Sequence, residues 1–173
     1  DAFLKKGSTS ETPLVVGTEI RLDDTIITKV NAKLKIVLND GNVITIGPDS
    51  EVLINIFLYQ KNEKSSSSFF LKFGAMWLSI QKGMTSSVDV KTPNAIAGVR
   101  GTKFYIRYLK QNKQTSLYVK EGSVSFSNEQ GDVTVNAGYS SSSAGDNKPD
   151  EPTQVEQGEM DQLFEQGEIA FGY

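Results

Sequence analysis

From Thr102 onward the chain alternates. Thr102, Phe104, Ile106 and Tyr108 fall on one side of an extended backbone, and Lys103, Tyr105 and Arg107 on the other. Period two marks a half-buried strand. After a polar turn at Gln111-Asn112-Lys113-Gln114, Leu117 and Val119 face one way and Tyr118 and Lys120 the other, which completes a hairpin ended by Glu121-Gly122. The same period runs through Ala32, Leu34, Ile36 and Leu38, turns at Asn39-Asp40-Gly41-Asn42, and returns through Ile44 and Ile46 to Gly47-Pro48. Asp-Gly between alternating runs is a strong hairpin signal. Leu14-Val15-Val16 reads as the start of structure, and Ile20, Leu22, Ile26 and Ile27 as one strand bent at Asp23-Asp24. Phe69 to Phe73 and Ala75 to Ile80 read as two further strands, the second carrying Trp77 at the core or its rim. Val124 and Phe126 make another, and Val133, Val135 and Ala137 a last one. Residues 52–59 are apolar at nearly every position, the pattern of a strand covered on both faces. Burial in the core is the favoured reading there; a homo-oligomer formed through this strand is the alternative.

Short strands with turn signals about every ten residues predict an all-β fold of mostly antiparallel strands, in a sandwich or a solenoid. The expected divisions are a frayed polar extension at 1–13, a β domain at 14–139, a Ser/Pro/acidic linker at 140–152 (SSSSAGDNKPDEP) and an acidic tail at 153–173. The tail holds at most a short helix, in which Met160, Leu163 and Phe164 share one face between Gly158 and Gly167. Ile169, Phe171 and Tyr173 alternate and suggest a final edge strand.

The most specific local signal is TPNAIAGVRGTKF, Thr92 to Phe104. Pro93 has no N–H and biases Thr92 toward extended backbone, so regular pairing is expected to stop there. Ala95, Ala97 and Gly98 are small enough to pass beneath neighbouring chain, and Gly101 sits where a turn would need a positive φ. Arg100 is expected to lay its stem on the core and bond backbone carbonyls; a grip on an acidic partner is the less favoured role.

This run, with the hairpin after it and then YVKEGSVSFS and VNAGY, resembles the periplasmic domain of the ferric-citrate regulator (FecR) family. GTEIRLDDTIIT and LKIVLNDGNVITIGPDSEV upstream resemble that domain's first strands, so the likeness runs from about Val15 to Tyr139. Pro93, Gly98, Arg100, Gly101, Thr102, Gly122 and Gly138 carry the signature. One departure is Asp23-Asp24, where the family usually shows a glycine before its aspartate. The resemblance implies an all-β, partly solenoid-like domain outside the cytoplasm that binds proteins and transmits a signal without catalysis.

Composition narrows the chemistry. The 173 residues contain no cysteine and no histidine, which removes disulfides, the commonest metal ligands and the usual general base. No nucleophile motif, dinucleotide fingerprint or phosphate-binding loop is present, so no catalytic residue, cofactor or metal site is expected. The aspartates and asparagines near Asp40 read as a turn, because the twelve-residue calcium pattern is missing. No apolar run reaches the roughly 18 residues of a membrane span, and no signal peptide is visible.

The net charge of −3 conceals a split: residues 1–81 are neutral, 82–120 carry +7, and 121–173 carry −10. Such asymmetry points to interactions. The outward face of the central hairpin, with Lys103, Tyr105, Arg107, Tyr118 and Lys120, is the candidate binding face. Cations among tyrosines suit an acidic peptide or an anionic polymer. Two readings follow. The first is a FecR-type sensory or scaffold module that binds a protein partner in the periplasm or at the cell surface, β-strand addition at an open edge being one mode. The second is a module for an anionic cell-envelope polysaccharide. An acidic chain of this type argues against nucleic acid. The acidic tail is expected to fold back toward the basic face, with Met160, Leu163 and Phe164 supplying the anchor.

Overall fold

The structure is a computed structural model that describes residues 1–7, 10–38, 40–58, 66–82, 87–145 and 147–168, with backbone alone at 56–58. The strands are β1 (Ala2–Lys6), β2 (Thr12–Pro13), β3 (Asp24–Thr28), β4 (Leu34–Val37), β5 (Val43–Ile46), β6 (Ser50–Leu58), β7 (Ser66–Ser79), β8 (Ser87–Lys91), β9 (Ile96–Val99), β10 (Lys103–Leu109), β11 (Gln114–Glu121), β12 (Ser123–Asn128), β13 (Gly131–Asn136), β14 (Tyr139–Ala144) and β15 (Thr153–Gln154). One helix, α1 (Gln157–Glu165), follows. Among the described residues every pairing is antiparallel except β7 with β8.

A single 14-residue strand, β7, belongs to two lobes. Its first half, Ser66 to Phe73, lies between β6 and β8 in a lobe ordered β13-β12-β9-β8-β7-β6-β3-β1-β2. Its second half, Gly74 to Ser79, lies between β5 and β10 in a lobe ordered β4-β5-β7-β10-β11-β14-β15. The sheet is not a closed barrel. Both lobes feed one core. Phe69, Leu71, Val88, Val90 and Phe126 come from the first, and Ile44, Met76, Leu78, Phe104, Ile106 and Leu117 from the second.

The bend in β7 falls at Gly74, with φ +98°. A Cβ there would lie 2.0 Å from Ser50 Oγ and 2.6 Å from Ser50 Cα, inside the backbone that starts β6. Ser50 uses this closeness. Its Oγ accepts the Ala75 N–H at 3.0 Å, and its own N–H donates to Thr28 Oγ1 at 3.0 Å. Thr28 in turn donates to the Gly47 carbonyl at 2.6 Å. The ends of β3, β5 and β6 are thereby tied to the bend.

The Thr92–Ala95 run forms a second tie. Asn94 donates to the carbonyls of Lys113, at 2.7 Å, and Ser143, at 3.0 Å. Its Oδ1 accepts from Thr115 Oγ1, whose hydroxyl also meets Thr92 Oγ1 at 2.7 Å. The corner between β8 and β9 is thus bolted to β11 and β14 in the other lobe. Pro93 is exposed and ends the pairing of β8, as its missing N–H requires.

Several expectations are revised. Residues 1–13 are not a frayed extension: β1 pairs along β3 with β2 at its other edge, and Leu4 is buried. The polar composition of 1–13 conceals one inward residue on a paired backbone. Leu14-Val15-Val16 starts no strand, and Val15 and Val16 are exposed. Asp23 holds φ +64°, so the strand begins at Asp24. Asp23 therefore occupies the left-handed conformation that the missing glycine would favour, which aspartate tolerates better than most residues. Within 52–55 only Val52 and Ile54 are buried while Leu53 and Asn55 are half-buried, so β6 is not covered on both faces there. Tyr59, and the side chains of residues 56–58, lie outside the described residues, as does the strand suggested at 169–173.

The region 140–152 is not simply a linker, because β14 pairs along β11. Its inward residues are Ser141 and Ser143, held by hydrogen bonds: Ser141 Oγ donates to the Asp150 carbonyl at 2.6 Å, and Ser143 Oγ to the Asn94 carbonyl at 3.3 Å. A strand that fills its core side with hydroxyls carries no hydrophobic period.

Gly74→Ala should lower stability by at least about 3 kcal/mol, because a positive φ and an overpacked contact act together. Adding Ser50→Gly should restore only part, since the Ser50 Cα still blocks the space. Thermal melts of the two single variants and the double variant measure this, and a Gly74→Ala protein melting with the parent would refute it.

Gly101, at φ +62°, has Lys82 Cα only 3.1 Å from its virtual Cβ. Gly101→Val should therefore destabilise by roughly 1–3 kcal/mol. An unchanged midpoint in denaturant would show the position to be ordinary extended backbone.

Candidate functional site

The outward rows of four adjacent strands set the site. Cross-strand pairing aligns Thr45 of β5 with Trp77 of β7, Trp77 with Tyr105 of β10, and Tyr105 with Tyr118 of β11. The Trp77 and Tyr105 rings are 4.9 Å apart, and those of Tyr105 and Tyr118 6.0 Å, both tilted. An aromatic row therefore crosses the face away from the main core. Tilted ring pairs at these spacings stabilise beyond the area they bury.

The tail lies across this row. Backbone bonds lead it there: β15 pairs with β14, and the Val155 N–H donates to the Gly138 carbonyl at 2.9 Å. Met160 and Phe164 of α1 are buried against Ala75, Trp77 and Tyr105, with Leu163, Val155 and Tyr118 around them. These residues form a second apolar cluster, separate from the core between the lobes. Trp77 Nε1 donates to the Leu163 carbonyl at 2.9 Å. Just past the helix, a Cβ on Gly167 would come within 2.5 Å of the Trp77 ring, so only glycine passes here without moving the indole.

Cations close the edges. Lys120 Nζ lies 2.9 Å from Asp161 Oδ1 and 5.5 Å from the Phe164 ring centroid. Lys33 donates to the Gln166 carbonyl and sits 5.8 Å from the Trp77 ring centroid. The hydrogen bond from Lys120, joined by one from Gln157, holds the Asp161 carboxyl below its ordinary range. Burial pushes the Tyr105 phenol up.

The five candidate face residues are thus not alike. Tyr105 is only 7% exposed and lies beneath α1, so it does not present an outward ring. Its outward direction is right, but the sheet's outer face is covered. Tyr118 and Lys120 are half-buried beside the helix, Lys103 is half-buried opposite Glu121, and Arg107 stands in solvent opposite Ser116. Trp77, Lys33 and Gly167 belong to the site and are absent from the sequence-based set. The pairing that joins Trp77 to Tyr105 depends on β7 being one bent strand, which no local period reveals.

The signature residues lie elsewhere. Gly101 and Gly122 abut at the base of the hairpin, where a Cβ on Gly122 would sit 2.7 Å from Thr102 Cγ2. Thr102 is buried there. Gly98 lies beside Asp89 in the β8–β9 pair, and Gly138 takes φ +85° in the turn before β14. Arg100 is exposed at the end of β9, away from the carbonyl-bonding role expected of it. Among the described residues no group of three or more His, Cys, Asp or Glu side chains is placed to hold a metal, and no helix is long and apolar enough to cross a membrane.

Comparison with known proteins sets this geometry in context. The family model described as FecR protein matches residues 24–125. Two crystal structures of a candidate anti-sigma factor from Parabacteroides distasonis share the fold. One superposes with TM-score 0.65 at 10% identity over 81% of this chain, the other with 0.66 at 11% identity over 81%. The chain spans a little under two thirds of those structures, 64% and 63% of their lengths. No curated protein matches the chain.

The lone tryptophan gives a clean readout of helix docking. A carboxyl held below its ordinary range favours the docked state above that range and loses this contribution as pH falls through the depressed value. Trp77 emission should therefore move to longer wavelength as pH falls below about 4, near the ordinary aspartate range. Asp161→Asn should already show weaker docking at neutral pH and lack this acid step. Identical acid profiles for parent and variant would remove Lys120–Asp161 from the account.

Proposed function

The chain belongs to the FecR protein family, whose model spans more than half of it, and from that premise we propose that it passes a signal by binding another protein on the outer face of the β5-β7-β10-β11 lobe. The domain is periplasmic and non-enzymatic, and the family is regulatory. The description of the structural relatives as candidate anti-sigma factors points the same way, toward a partner that is itself a protein.

One observation carries the choice of face. Arg107, Lys110 and Lys113 stand in solvent along the hairpin, with Lys103 half-exposed beside them, next to an aromatic row whose centre is closed. A polysaccharide reading needs an open aromatic ring on which a sugar can stack, and Tyr105 offers none while α1 is seated. Acidic side chains of a protein need only the cations. Charges at an interface rim govern encounter and partner choice more than final affinity.

The test places a photoreactive residue at position 107 in whole cells and identifies what is captured. A single cross-linked protein is expected. Its yield should fall by about tenfold when Lys103 and Lys110 are both changed to glutamate, and it should fall with added salt. Capture of carbohydrate, or a protein band indifferent to both changes, would overturn this reading.

A further inference from the structure

The contacts of α1 describe a ligand as well as a tail. Nine residues make only two and a half turns, too short to persist in water without packing. Gly158 in the first turn weakens the helix further. Its N-cap, Glu156, makes no side-chain capping bond, and the last turn carries Glu165 with no cation of its own to balance the negative helix end. What holds α1 is the face beneath it. Met160 and Phe164, spaced i and i+4, enter the aromatic row, with Leu163 beside them. Asp161 meets Lys120, and the end of the helix meets Lys33. Anchors at i, i+3 and i+4 on a short amphipathic helix, set into an apolar groove, are the usual form of helix-in-groove recognition.

We infer that the face formed by Ala75, Trp77, Tyr105 and Tyr118, flanked by Lys33 and Lys120, is a helix-docking groove that α1 fills in cis, and that its trans occupant is an acidic amphipathic helix of a partner protein which displaces α1. This rests on the protein-binding reading above and adds the partner's chemistry. Charge complementarity selects the occupant: the tail at 153–173 carries five carboxylates and no cation, while Lys33 and Lys120 flank the groove. The rim lysines therefore favour an acidic helix over a basic or neutral one. A tethered segment holds its site at millimolar effective concentration, so a free helix of equal intrinsic affinity competes poorly until α1 is loosened.

The probe is a labelled synthetic peptide with the sequence of residues 155–168, titrated into the full chain. Phe164→Ala removes a cis anchor without altering the groove, and Asp161→Lys in a second chain sets a like charge against Lys120. Both variants should bind the peptide at least about tenfold more tightly than the parent, because the tethered competitor is weakened. A scrambled peptide of equal composition should not bind. Trp77→Ala in the Phe164→Ala chain should abolish binding. No saturable binding to either loosened chain, with the β core still melting cooperatively, would overturn the inference, as would equal binding of native and scrambled peptides. These outcomes leave the cross-linking at position 107 untouched, and a failed cross-link leaves the peptide result untouched, so the two readings fall separately.

Discussion

The contact between Gly74 and Ser50 is the constraint on which the molecule depends. One strand must serve two lobes, and it can do so only if its backbone turns sharply where it leaves one and joins the other. A glycine at φ +98° gives the turn, and the lack of a side chain lets the start of β6 lie against it. The closeness is used chemically, since Ser50 takes the first N–H after the bend. Fully buried side chains such as Phe69 before the bend and Met76 after it then point into the same core. Burying each contributes about 1.5–3 kcal/mol, but only the bend lets both halves of β7 contribute to one core.

The bend also creates the site. Beyond Gly74, β7 is buried on both faces, with Met76 and Leu78 inward and Ala75 and Trp77 outward. An outward tryptophan next to an outward tyrosine on a sheet would leave a broad apolar patch in water. Patches of that kind on a soluble domain usually mark an interface. Here α1 covers it, and the cover is held by few groups: two buried side chains, one indole hydrogen bond and two lysines at the edge. Exposed ion pairs add little to stability, so the apolar anchors carry most of the docking and the lysines fix its direction.

The hairpins were legible because each is a local event. Alternation with a polar turn between places β4–β5 and β10–β11 without knowledge of anything distant, and Gly101 followed by an alternating run identifies a turn with positive φ. What stayed hidden was non-local or hydroxyl-filled. β14 buries Ser141 and Ser143, whose hydrogen bonds replace apolar contact, so it has no hydrophobic period to read. β1 shows one buried residue in five, and its evidence is its pairing with β3. The candidate face was half legible: the side of the strand on which Tyr105 and Tyr118 lie follows from period two. That Trp77 completes the row, and that Gly167 must be small to pass over it, follows from a register set by the bend.

Placing the tail on this face gives the charge split a physical role. The tail at 153–173, with five carboxylates and no cation, would be attracted at low salt to the +7 stretch at 82–120 wherever it lay, and long-range attraction alone would leave its position diffuse. The fixed position comes from short-range terms: an indole N–H with one carbonyl to meet, a glycine that fits only against that ring, and two side chains that fill the row. Electrostatics brings the helix to the lobe, and packing decides where it stops. Because these two roles are separable, a competing helix needs the right anchors to displace α1 and the right charge to arrive. If the face takes a partner helix as proposed, that helix would need both a Met/Leu/Phe-like stripe and an acidic flank, and a helix with only one of them would fail to displace the tail.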